Sequence, residues 1–206
     1  MRGGHGWGGK STAVKALGPG YRNIDPDVIK DLLLGRAVSD GTYDPLLALN
    51  LPDGDKVHPR ELAGLVHRES TQVARSVLEL CLLRHEDVVV EGTLSWDPIV
   101  GELLNLFEGH DYQLLDIVSC ELPRDVALER ALLRWWEGRQ TFADGLGGRF
   151  VPTRVVENLY TKTIDTSDCR ANAREMFVRA KGAFNEVNLR SSDLSGTSLE
   201  SHRRRT

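Results

Sequence analysis

The sequence is poor in the residues that would mark several functional classes. Its three cysteines, Cys81, Cys120 and Cys169, lie far apart and form no C-x-x-C spacing. That pattern argues against a zinc site and fits a reducing compartment. Six histidines, at positions 5, 58, 67, 85, 110 and 202, show no metal-ligand spacing either. No apolar run approaches the roughly 20 residues of a membrane span. The first residues are glycines, not an apolar leader core. Positive charge is not in excess: 26 Lys and Arg stand against 30 Asp and Glu, with a pI near 5.9. Nothing global therefore draws the chain onto nucleic acid or anionic lipid. A phosphate-bearing ligand must be held by a local cluster of donors. There is no internal repeat and no N-K-x-D guanine motif. These absences predict a soluble cytoplasmic protein with neither nucleic-acid nor membrane partners.

What is present is ordinary globular material. Hydrophobic residues make up 40% and charged residues 27% of 206, which suits one domain with a real core. Strand signals fall at 21–24, at 87–91 with its Val88-Val89-Val90 run, at 113–120 and at 184–189. Helix signals lie between them: from Asp25-Pro26-Asp27, with Val28, Ile29, Leu32 and Leu33 as an apolar stripe, then 61–83, 97–107, 123–136, 153–161 and 169–181. Residues 35–59, rich in Gly, Pro and Asp, read as a long surface loop. Residues 137–152 read as a glycine-rich flexible lid. The alternation predicts a P-loop NTPase-like, doubly wound α/β domain over 1–190 with a mostly parallel sheet. A disordered polar and basic tail is expected over 191–206.

Chemistry concentrates where strands should end. Gly4-His5-Gly6-Trp7-Gly8-Gly9-Lys10-Ser11 has the G-x-x-x-x-G-K-[ST] pattern, and a helix signal follows it. Glycines there let backbone N–H groups point at phosphate oxygens. Gly4, Gly6, Gly8 and Gly9 would form the cradle, Lys10 would reach the β- and γ-phosphates, and Ser11 would ligate Mg²⁺. Asp25-Pro26-Asp27 reads two ways. Asp is a favoured helix cap and Pro a favoured first helical residue. One carboxylate could equally take the proton of a substrate hydroxyl during phosphoryl transfer. Both hold if Asp25 caps and Asp27 faces the cleft. Glu91 closes the valine strand, before Gly92 and Thr93. A carboxylate there can orient substrate or a metal-bound water. Arg130, Arg134, Arg139, Arg149 and Arg154 surround the predicted lid, and composition alone does not choose among them. Trp135 and Trp136 could stack a base, or pack in the core.

Taken together, these segments resemble the zeta toxin family of P-loop kinases. Gly3–Ser11 is similar to that family's G-G-Q-P-G-x-G-K-[ST], Ile24–Lys30 to its I-D-x-D-x-[FI]-[KR], and Val90–Thr93 to its [IV]-[ED]-G-T. The 123–134 helix and Arg149-Phe150-Val151-Pro152 resemble its two arginine-bearing elements. The resemblance covers about 3–160. It implies ATP and Mg²⁺ at Lys10 and Ser11, Asp27 as base, and Arg134 and Arg149 as phosphate clamps. Lys30, Glu91 and Thr93 fall on the acceptor side. It also implies phosphorylation of a hydroxyl on a UDP-sugar such as UDP-N-acetylglucosamine, and an antitoxin as a possible partner. Other small-molecule or antibiotic kinases, or a non-catalytic remnant, are the alternatives. The loop departs from the family at Gly6 and Trp7, where Pro and Gly stand. Arg75 occupies the place of a sugar-binding glutamate, with Glu69 as a possible substitute.

A P-loop follows a buried strand, and Met1-Arg2-Gly3 are too few and too polar to form one. The sequence therefore leads us to expect a fold whose first strand is missing from this chain.

Overall fold

The computed structural model describes residues 20–193 and 195–205. The glycine loop, with Gly4, Gly6, Gly8, Gly9, Lys10 and Ser11, lies outside the described residues, as does the start of the chain.

Strand β1 (Arg22–Ile24) runs into helix α1 (Pro26–Ser39), and the short helix α2 (Asp44–Leu47) follows. A 3-10 turn (Pro59–Leu62) leads to helix α3 (His67–Leu83) and strand β2 (Val88–Val90). Helix α4 (Pro98–Glu108), strand β3 (Leu114–Cys120) and helix α5 (Arg124–Thr141) come next. Helices α6 (Thr153–Glu157) and α7 (Asp168–Arg179) precede strands β4 (Glu186–Ser192) and β5 (Ser198–Arg205).

The chain is thus mixed α/β with parallel pairing, an architecture that fits a P-loop kinase-like fold. β1 pairs with β2 in parallel, Ile24 opposite Val90. β3 pairs with β4 in parallel from Leu114–Glu186 to Cys120–Ser192. Where the sequence predicts one doubly wound sheet, the described strands form a two-stranded and a three-stranded sheet. A single core nonetheless spans both. It joins Ile24, Leu78, Leu82, Val100, Leu104 and Phe107 to Leu115, Ile117, Met176, Val187 and Leu189. Each fully buried aliphatic side chain contributes roughly 1.5–3 kcal/mol to that body.

Three expectations need correction. Residues 198–205 are not a disordered tail: β5 pairs antiparallel with β4, Glu186 opposite Arg205 and Leu189 opposite His202. Hydropathy misses this strand because polar contacts anchor it. Glu200 accepts from Arg170 at 3.1 Å, from Arg174 at 2.8 Å and from Ser191 at 3.0 Å. The guanidinium of Arg204 lies 4.6 Å from the Phe177 ring centre. The 35–59 stretch is likewise not one long loop. α1 continues to Ser39, and a bridge between Asn50 and Lys56 closes a tight turn around Gly54. The α1 stripe is also misplaced in part. Ile29 and Leu33 do pack against core clusters, but Val28 and Leu32 are exposed, and the buried positions are Leu34 and Ala37.

Candidate active site

The site begins where β1 ends. Ile24 is buried, and the next residue stops the strand and starts the helix. Asp25 is the cap of α1: its backbone is extended and its carboxylate accepts from the Asp27 N–H at 2.8 Å. Pro26 follows at the first helical position, where its missing N–H costs nothing. Asp27 is left in the first turn, and Lys30 and Asp31 stand one turn further on.

A group of cations gathers about Asp27. The Lys30 ammonium lies 2.9 Å from its carboxylate, with the lysine side chain 15% exposed and that of Asp27 49% exposed. Arg149 arrives from the loop after α5. Its Nη2 donates to the Asp27 carbonyl at 3.1 Å and to Asp31 at 2.6 Å, and its Nη1 is 3.6 Å from the Asp27 carboxylate. Arg134, half-buried on α5, belongs to the same electrostatic neighbourhood. Burial pushes its pKa below the usual guanidinium value, Asp27 opposes that shift, and Arg130 and Arg149 reinforce it.

The loop bearing Arg149 is not a loose flap. Gly148 packs so tightly on α5 that a β-carbon there would fall on the Trp135 carbonyl. One on Gly138 would lie 2.6 Å from the Gly148 α-carbon. Gly147, with φ +78°, rests against His58, where a β-carbon would meet the ring at 2.6 Å. These glycines let the loop backbone approach helix α5 and the His58 ring closely, which corrects the flexible lid. Arg60 ties the same loop to the 3-10 turn, donating to the Gly147 carbonyl at 3.0 Å and pairing with Asp144 at 2.6 Å.

Of the other predicted residues, Glu91 accepts from Asn23 on the neighbouring strand at 2.8 Å, and Thr93 donates to Ser95 at 2.9 Å. Arg154 is exposed. Arg139 is wholly buried in a structural ion cluster, bound through two nitrogens to Asp53 at 2.8 and 3.0 Å. Trp135 is half-buried and donates to Glu61 at 2.8 Å, whereas Trp136 is exposed. Arg75 is taken up by Glu79 and Glu102. The sequence reading missed Asp31 and Arg60. The spacing of Asp27, Asp31 and Leu34 could have found Asp31, since it marks one helix face.

The zeta toxin family model matches residues 51–187, more than half of the chain. The chain belongs to the zeta toxin family. That span holds Glu91, Thr93, Arg134 and Arg149, while Asp27 and Lys30 precede it. Over 85 residues this zeta toxin family member is also 33% identical to the calmodulin calcium-dependent NAD kinase of Arabidopsis thaliana. The alignment covers 40% of this chain and 14% of that protein, so the chain spans a small part of the relative's length. No helix among the described residues is long and apolar enough to cross a membrane.

Proposed function

We propose that this zeta toxin family member is an ATP-dependent phosphotransferase that moves the γ-phosphate to a hydroxyl of a small molecule. A UDP-sugar of the UDP-N-acetylglucosamine type is the first candidate acceptor. One observation carries the reading: a single exposed-edge carboxylate, Asp27, stands beside Lys30 and Arg149 at the carboxyl end of β1. Ligands of open α/β sheets bind at strand carboxyl ends.

Phosphoryl transfer needs an acceptor for the hydroxyl proton and fixed cations for the spreading charge. Asp27 supplies the first. Arg134 and Arg149 supply the second, and the fit is visible in Arg149: its Nη1 is buried and makes no hydrogen bond among the described residues. A phosphate oxygen would complete it. Lys10 and Ser11 would hold the nucleotide phosphates and Mg²⁺, with Gly4, Gly6, Gly8 and Gly9 as the cradle. A metal held there would add further neutralisation of phosphate charge. Lys30, Glu91 and Thr93 line the acceptor side. The common core of the two sheets supports a doubly wound P-loop sheet as the finer fold. The same reading makes the protein cytoplasmic, with an antitoxin as a candidate protein partner.

A second reading replaces the UDP-sugar with a dinucleotide hydroxyl. It is favoured by the 33% identity over 85 residues to a protein named as an NAD kinase. The experiment is phosphate transfer from labelled ATP to a panel containing UDP-N-acetylglucosamine, NAD and unrelated hydroxyl compounds, with Lys10→Ala as control. Transfer that depends on Lys10 establishes the kinase, and the labelled product names the acceptor. No transfer, and equal ATP affinity for wild type and Lys10→Ala, would leave a non-catalytic remnant.

A further inference from the structure

Asp31 has both carboxylate oxygens occupied by arginines from distant parts of the chain. Arg149 Nη2 donates to Oδ1 at 2.6 Å. Arg60 donates Nε to Oδ1 at 3.0 Å and Nη2 to Oδ2 at 2.9 Å, the two-pronged arrangement that fixes a carboxylate's plane. Arg60 then reaches onward to the loop that carries Arg149. It bonds the Gly147 carbonyl and Asp144 through its side chain, and its N–H donates to the Leu146 carbonyl at 2.9 Å. Residues 144–149 are thereby held against α1 at both ends through one carboxylate.

We propose that Asp31 is a positioning residue, braced by Arg60, that holds Arg149 with its Nη1 toward Asp27. The inference rests on Arg149 being the phosphate clamp. The distances divide the labour. At 3.6 Å the Asp27 contact is too long for a hydrogen bond, so Asp31 carries the charge-assisted bond on Nη2. Nη1 is left for an incoming oxygen. Asp31 shares a helix face with Asp27, yet both its oxygens are engaged by arginines, which makes it an anchor and not a proton acceptor. A guanidinium held this way meets developing charge without reorganising, and that is where electrostatic catalysis gains most.

The test uses the full chain and two readouts. Asp31→Asn keeps the side-chain shape but removes the charge that binds both arginines. Trypsin cleavage after Arg149, followed by mass spectrometry, reports the loop whether or not the protein turns over. It should accelerate roughly tenfold or more, while cleavage after exposed Arg84 stays at the wild-type rate. Arg60→Gln should release the same bond. In phosphate transfer, Asp31→Asn should lower kcat with KM for ATP nearly unchanged, and adding Arg149→Ala should lower it little further. Unchanged cleavage after Arg149 in both variants overturns the proposal. So does a wild-type kcat in Asp31→Asn, or fully multiplicative losses in the double variant. If neither variant folds, the pair holds the fold and not the arginine, and the proposal also fails. A wild type without any transfer defeats the kinase reading instead, and cleavage still decides the role of Asp31.

Discussion

Arg139 Nη1 lies 2.9 and 3.0 Å from the two carboxylate oxygens of Glu61, and no part of the arginine side chain reaches solvent. Glu61 also accepts from the His58 N–H and Trp135 Nε1, so one carboxylate gathers the 3-10 turn and helix α5. Asp53 binds the other edge of the guanidinium, and that bond leads the causes that raise its pKa.

Removing one partner of such a cluster leaves a buried charge without compensation, at a cost of about 3–5 kcal/mol. Arg139→Ala should therefore unfold at markedly lower urea concentration. Arg139→Met, which replaces charge by hydrocarbon of similar length, should leave Glu61 exposed to the same penalty but keep the packing, and lose less. Urea midpoints at constant slope measure both.

Asp27→Asn retains the helix start, since Asp25 does the capping. Turnover should fall by roughly 10²–10⁴-fold, the usual effect of losing a general base, with the melting temperature and ATP binding preserved. If Asp25→Asn proves the inactive variant and Asp27→Asn remains active, the two roles are exchanged.

Arg134→Ala and Arg149→Ala should lower kcat more than they raise KM, because their charge meets the transition state. Steady-state kinetics on each variant separates the two constants. A change confined to KM would make them substrate-binding residues.

Alkaline stability should depend on Cys169 and Tyr160. Burial pushes the Cys169 thiol from 9.0 up to about 11, and burial likewise takes the Tyr160 hydroxyl to about 12. Both groups stay protonated longer in the folded state than in the unfolded one. Stability is thus complete below pH 9 and is lost as pH rises from the unfolded value through the folded one. For Cys169 alone the two-unit interval corresponds to roughly 2–3 kcal/mol. Cys169→Ala should flatten the fall between pH 9 and about 11, read as melting temperature against pH.

Much of the fold was legible because local pattern and tertiary placement agree. The valine run became β2, and the apolar 113–120 stretch became β3 over Leu114–Cys120, with Leu115 and Ile117 inward. Pro and Asp marked the start of α1. Its buried face is only half legible, because apolar residues lie all round α1: Ile29 and Leu33 pack inward, Val28 and Leu32 do not, and Leu34 shares its face with the polar Asp27 and Asp31. Composition marks the arginines around the presumed lid only as a set, and the family resemblance alone singles out Arg134 and Arg149. Asp53 and Glu61, which bury Arg139, lie 86 and 78 residues away, and no periodicity reports such pairs. β5 escapes for a related reason: it is the hairpin partner of β4, but it is built from polar residues, and its anchors are charges on Arg170 and Arg174, 30 and 26 residues back.

The anchoring of β5 also has a bearing on aggregation. An outer strand offers unsatisfied backbone groups to any passing chain, and a flat apolar one invites stacking into fibrils. Here the outermost strand carries Arg203 and Arg205, 55% and 67% exposed, both leaning on Glu186, together with His202 beside Glu200. A second copy aligning alongside would bring like charge against like charge and find little hydrocarbon to bury. The rim of the three-stranded sheet thus repels its own kind, while Val187 and Leu189 stay sealed one strand further in.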